Sequence, residues 1–129
     1  MRLAFCMRWH MVGETLELVE KFDSLEVPAF PFRVDAATAP FLVIVWEGRA
    51  SGAAPHLTVT TPRGEILQAR LEPPKAFLWS QAQINSLAGF VFRVPGSYTF
   101  RVDIGSASKK ARLHVKHASA LSLVDADGH

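Results

Sequence analysis

Residues 90–116, FVFRVPGSYTFRVDIGSASKKARLHVK, constrain the fold more than any other stretch of the chain. Tyr98, Phe100, Val102 and Ile104 fall on one side of an extended backbone, and Thr99, Arg101 and Asp103 fall on the other. A period of two is the pattern of a strand with one buried face. Phe90, Phe92 and Val94 show it before the Pro95-Gly96 turn signal. Ala111, Leu113 and Val115 show it after Gly105-Ser106, against Lys110, Arg112, His114 and Lys116. A three-stranded antiparallel unit is expected. Pairing Ile104 with Lys109 across a four-residue loop would set Asp103 opposite Lys110 and Arg101 opposite Arg112.

Further runs extend the pattern to eight candidate strands. Leu3, Phe5, Met7 and Trp9 alternate with Ala4, Cys6 and Arg8, and residues 15–25 return after the turn at Val12-Gly13-Glu14. Leu18, Phe22 and Leu25 also fit helical spacing, but the short connection and the flanking Pro28 and Pro31 favour a strand. Residues 56–60 and 65–71 flank Thr61-Pro62-Arg63-Gly64, a turn with Pro to set one dihedral and Gly to tolerate another. Pro28, Pro31 and Pro40 make residues 27–40 an extended surface crossover. Residues 75–88 lack clean periodicity and fit a strand, a short helix or an ordered loop. The fold class expected is all-β: an antiparallel two-sheet sandwich of about eight strands, immunoglobulin-like or jelly-roll. At 129 residues one core is the expectation, with residues 1–117 as a single sandwich domain and 118–129 as a C-terminal tail.

The run Phe41-Leu42-Val43-Ile44-Val45-Trp46 departs from alternation because it is apolar at every position. Both faces of such a strand require cover, and a two-layer sandwich covers one. The crossover, the C-terminal tail or a second subunit would have to hide the other. Leu42, Ile44 and Trp46 are therefore candidate partner-interface residues.

Gly13 with Leu16, Phe22-Asp23, Phe30-Pro31, the apolar run from Phe41, Pro62-Arg63-Gly64 and Pro95-Gly96-Ser97-Tyr98-Thr99-Phe100 together resemble an uncharacterised bacterial family of small all-β domains. The likeness spans most of residues 3–116, and residues 75–88 have no counterpart in it. It implies a sandwich and a non-catalytic domain, with no activity to transfer.

The chemistry-bearing residues do not assemble into a catalytic pattern. Ser106-Ala107-Ser108-Lys109 has the serine–lysine spacing of some acyl-transfer enzymes, but that chemistry needs a helix start and this segment falls in a hairpin turn. Cys6 and His10 share a strand face with backbones about 13 Å apart, too far for a thiolate–imidazolium pair. The thiol is expected to fill core space. His114 and His117 point to opposite faces of a strand, while His10, His56 and His129 are scattered, so no zinc site is expected. Asp125 and Asp127 alone do not make a calcium loop. No phosphate-binding glycine loop follows a strand, and no cofactor is expected.

Arg93, Arg101, Lys110, Arg112 and Lys116 offer a candidate basic surface. Without aromatic residues on that face to stack bases, and with a net charge of +2, a solvated sheet face is favoured over a nucleic-acid site. Trp9 and Trp46 are expected in the core or an interface. Trp79, after Pro73-Pro74, is a weak candidate contact for a small ligand or carbohydrate. The N-terminal run is broken by Arg8 and His10, so no signal peptide is expected, and no stretch reaches the ~20 apolar residues of a membrane span. With one cysteine, a cytoplasmic protein is expected. The function expected is a non-enzymatic interaction or structural module that self-associates as a homo-oligomer or docks a protein through an apolar sheet face or edge. The alternative is a ligand-binding sandwich using Trp79.

Overall fold

The computed structural model describes residues 1–13, 15–45, 55–70 and 82–118, and they form an all-β, sandwich-like assembly of packed sheets. Eleven strands run in chain order among them: β1 (Arg2–Val12), β2 (Thr15–Phe22), β3 (Ser24–Val27), β4 (Phe32–Arg33), β5 (Phe41–Val45), β6 (His56–Thr60), β7 (Ile66–Arg70), β8 (Ala82–Ser86), β9 (Val91–Phe92), β10 (Gly96–Ile104) and β11 (Ala107–His117). One sheet has the order β2-β1-β5-β8 and another β3-β11-β10-β6-β7, while β4 and β9 form a separate two-stranded ladder. The only parallel pairing among the described residues is β3 with β11.

The core lies between the sheets. Leu3, Phe5, Leu42 and Ile44 face it from the first sheet, and Leu57, Val59, Tyr98, Phe100, Val102, Leu113 and Val115 from the second. Aromatic rings fill its centre. Phe5 meets Phe100 edge-on at 5.1 Å, and Phe92 meets Tyr98 edge-on at 5.0 Å, arrangements that the ring quadrupoles favour.

The alternation in residues 98–104 becomes β10, whose inward row of Tyr98, Phe100, Val102 and Ile104 is buried. Its register with β11 differs from the expected one by two residues. Ile104 pairs with Ala107, Asp103 with Ser108 and Arg101 with Lys110. The connection is Gly105-Ser106, with φ of 58° at Gly105, and glycine at the first central position is what a two-residue hairpin of type II′ requires. A shift of two leaves every side chain on its expected face.

Three other expectations are corrected. Residues 90–94 do not pair with β10; β9 pairs with β4 through Phe32 opposite Phe92. The Tyr98 hydroxyl instead ties this segment to β10, donating to the Val94 carbonyl at 2.6 Å and accepting from the Val94 N–H at 3.2 Å. Gly96, at φ 133°, lies so close to Pro62 that a Cβ would approach the ring to 2.7 Å. Residues 15–25 divide at Asp23 into β2 and β3, which belong to different sheets. The proline-rich crossover is only in part a surface strap: Val34 and Ala39 are buried in the core, and the Val34 N–H donates to the Phe90 carbonyl.

Residues 82–86, within the segment that lacked periodicity, form β8 and cover the edge of β5. Both faces of β5 are covered within the single chain: Leu42, Val43 and Ile44 are each 0% exposed. No helix among the described residues is long and apolar enough to cross a membrane.

Candidate interaction surface

The first sheet is uneven. β1 has eleven residues and β5 five, and their pairing ends at Cys6 opposite Phe41. Beyond that point β1 pairs with β2 alone among the described residues, through Arg8 and Val19, Trp9 and Leu18, His10 and Glu17, Met11 and Leu16, and Val12 and Thr15. Six residues of strand extend about 20 Å, so the β1–β2 hairpin runs well past its last pairing with β5. Gly13, at φ 62°, begins the turn at its tip.

The two faces of this ribbon differ. The row that begins with Leu3 and Phe5 in the core continues through Met7, Trp9 and Met11, with Leu18 and Leu16 directly across from the last two. Trp9 is 41% exposed and Met11 43%; Val12, at 54%, lies on the other face. On the opposite face Arg8 contacts Glu20 at 2.6 Å and His10 contacts Glu17 at 2.8 Å, all four side chains well exposed. Exposed pairs of this kind contribute little stability. They keep the polar face solvated, so the apolar face is the one with a reason to be covered.

At the base of the hairpin an open groove of about 400 Å³ runs between β1–β2 and β11. Leu3, Phe5, Phe22 and Ala111 line it, with Lys21 and Arg112 at its rim. A second apolar exposure lies on β7, at the far edge of the other sheet, where Ile66 is 63% and Leu67 43% exposed.

The residues singled out from the sequence fall elsewhere. Leu42 and Ile44 are core residues with no exposed surface, so they cannot meet a partner in the folded chain. Burying side chains of this size contributes roughly 1.5–3 kcal/mol each, which holds them in the core. Trp46 and Trp79 lie outside the described residues.

Of the basic candidates, Arg101, Lys110, Arg112 and Lys116 do share the outward face of the second sheet. Arg93 stands apart beyond β9, by a small hollow that also takes in Arg63, Glu65 and Tyr98. Acidic neighbours break the stripe. The Arg101 Nε donates to Asp103 at 3.0 Å and to the Ser108 hydroxyl at 3.2 Å, and Lys116 lies 3.8 Å from Glu26. The hydrogen bond from Ser108 does most to hold the Asp103 carboxyl below its ordinary value; desolvation opposes it, and the bond and charge of Arg101 add to the lowering.

Cys6 is fully buried on the outward face of β1, and burial pushes its thiol up, away from the reactive thiolate. His10 is bonded to Glu17 and lies out on the projecting hairpin. Among the described residues no three His, Cys, Asp or Glu side chains come together as a metal site.

The hairpin surface was only half visible in the sequence. Alternation from Leu3 to Trp9 predicted the strand. Its overhang follows from the mismatch between that long run and the shorter run at Phe41, a comparison of lengths that periodicity within one segment does not make. No family model, curated protein or solved structure matches this chain.

Proposed function

We propose that this chain is a non-enzymatic β-sandwich module that docks a protein, a second copy of itself or another chain, through the projecting β1–β2 hairpin. The observation that carries the proposal is the overhang itself. A two-stranded hairpin is marginal on its own in water, yet here the inward row leaves the core and continues into solvent as Trp9 and Met11, with Leu18 and Leu16 across from them. Tryptophan and methionine are enriched where protein interfaces are driest. The site expected from the sequence, an apolar sheet face or edge, thus moves from β5 to β1 and β2.

We assign the scaffold to the immunoglobulin-like group, and two features support this. The chain passes between sheets from β5 to β6, β8 returns to pair with β5, and β3 runs parallel to β11 at the edge of the other sheet. The Tyr98 hydroxyl bonds back to Val94 at the start of β10, the corner such sandwiches use to fix the entry of that strand. The likeness to the small bacterial all-β domains belongs to the same proposal and rests on this Pro-Gly-Ser-Tyr-Thr-Phe segment.

Replacing Trp9 and Met11 together by serine tests the docking surface. Complexes that the wild-type chain forms, captured by chemical cross-linking in cells that express it, are expected to disappear with the double variant. Their survival at wild-type yield would contradict the proposal.

A further inference from the structure

The outer edge of β2 is unpaired among the described residues, and Thr15, Glu17, Glu20 and Lys21 along it are exposed. An exposed edge carries backbone N–H and C=O groups without sheet partners and is a template for another strand. Resting on the docking role of the hairpin, we propose that the occupant is a second copy of this chain, joined β2 to β2 in antiparallel fashion about a two-fold axis through Val19.

Charge selects that register. A two-fold axis perpendicular to the sheet must pass through a residue, so that facing side chains share a face. Centring on Glu17 sets Glu17 against itself, and centring on Glu20 sets Glu20 against itself. Centring on Leu18 leaves Glu17 facing Val19 and Lys21 facing Thr15. Centring on Val19 sets Glu17 against Lys21 twice, Leu16 against Phe22 twice, Leu18 against Glu20 twice and Val19 against itself. Like charges directly opposite destabilise a strand pair and opposite charges support it, so the Val19 register is the favoured one.

Two further observations agree with it. Glu20 has φ of 56° and its carboxylate bonds to Arg8 on the polar face. It is thereby kept off the inward row, where Leu18 of the second copy would otherwise meet a charge. In this register Leu16 lies beside Phe22 of the second copy, at the groove of about 400 Å³ lined by Leu3, Phe5, Phe22 and Ala111. Each hairpin tip reaches the groove of the other copy, and the exchange is reciprocal. The product is one continuous sheet through both sandwiches, with Leu16 of each copy beside Phe22 of the other.

The test is light scattering of the purified full chain over a range of concentrations, for wild type, Glu17→Lys, Lys21→Glu and the double reversal. Matching circular dichroism and unfolding midpoints confirm that each variant is folded. The wild type is expected to dimerise, each single reversal to weaken association by roughly tenfold or more, and the double reversal to restore it. Four results would overturn the proposal: a wild type monomeric throughout, a dimer indifferent to the single reversals, a double reversal that does not restore association, or a dimer that instead dissociates on Ile66→Lys and so belongs to β7. A monomer whose hairpin still cross-links to other proteins removes the self-pairing and keeps the docking role. A monomer without such adducts removes both.

Discussion

Tyr98 ties its strand to the preceding loop through one oxygen that both donates and accepts. The side chain is 1% exposed, so removing the hydroxyl leaves the Val94 N–H and C=O without their partner where water has poor access. Tyr98→Phe is expected to destabilise the fold by about 1–3 kcal/mol with no change in secondary structure, as measured by urea unfolding. A loss well under that range would mean that the clamp is incidental. Asp103 acts in the opposite medium, at the surface. Its carboxyl is lowered from 3.8, first by Ser108 and then by Arg101. A group with a depressed folded value stabilises the native state above its unfolded value and loses that contribution as pH falls through the folded one. The stability difference between wild type and Asp103→Asn should therefore be larger at pH 6 than at pH 3. Equal differences at the two pH values would contradict the assignment.

At the scale of elements, β1–β2 carries two large apolar side chains, Trp9 and Met11, that lie outside the buried core cluster. Replacing Trp9 and Met11 by serine is accordingly expected to leave the unfolding free energy within about 0.5 kcal/mol of wild type, as for surface substitutions, even though it removes association. A large loss would reassign both residues to folding. Strand identity was legible wherever a face alternated, as at Tyr98, Phe100 and Val102. Pairing was less so. Phe92 finds Phe32, far earlier in the chain, and a two-residue strand has no periodicity to announce it. The β10–β11 register was underdetermined, because loops of two and four residues preserve the same faces, and Gly105 with its positive φ decides between them. The division at Asp23 was hidden because β2 and β3 carry similar patterns and differ only in which sheet receives them.

For the whole molecule, the apolar strand β5 posed the question of what covers its second face, and the chain itself supplies the cover, since Leu42, Val43 and Ile44 have no exposure left. Six consecutive apolar residues disclosed the need for cover but not its source, because a tertiary partner and a second subunit satisfy the same pattern. The docking surface proposed above lies instead at the tip of the β1–β2 hairpin, one of two apolar exposures among the described residues, the other being Ile66 and Leu67 on β7. The hairpin's long strand was legible in the sequence, while its exposure depended on where β5 stopped. Site-specific photo-cross-linking in cells tests this claim most directly, with the probe placed in turn at Met11, Leu16 and the exposed control position Arg63. Discrete protein adducts, to this chain or to another protein, are expected from positions 11 and 16 and none from 63. Adducts absent from both hairpin positions, or no different from those at 63, would contradict it.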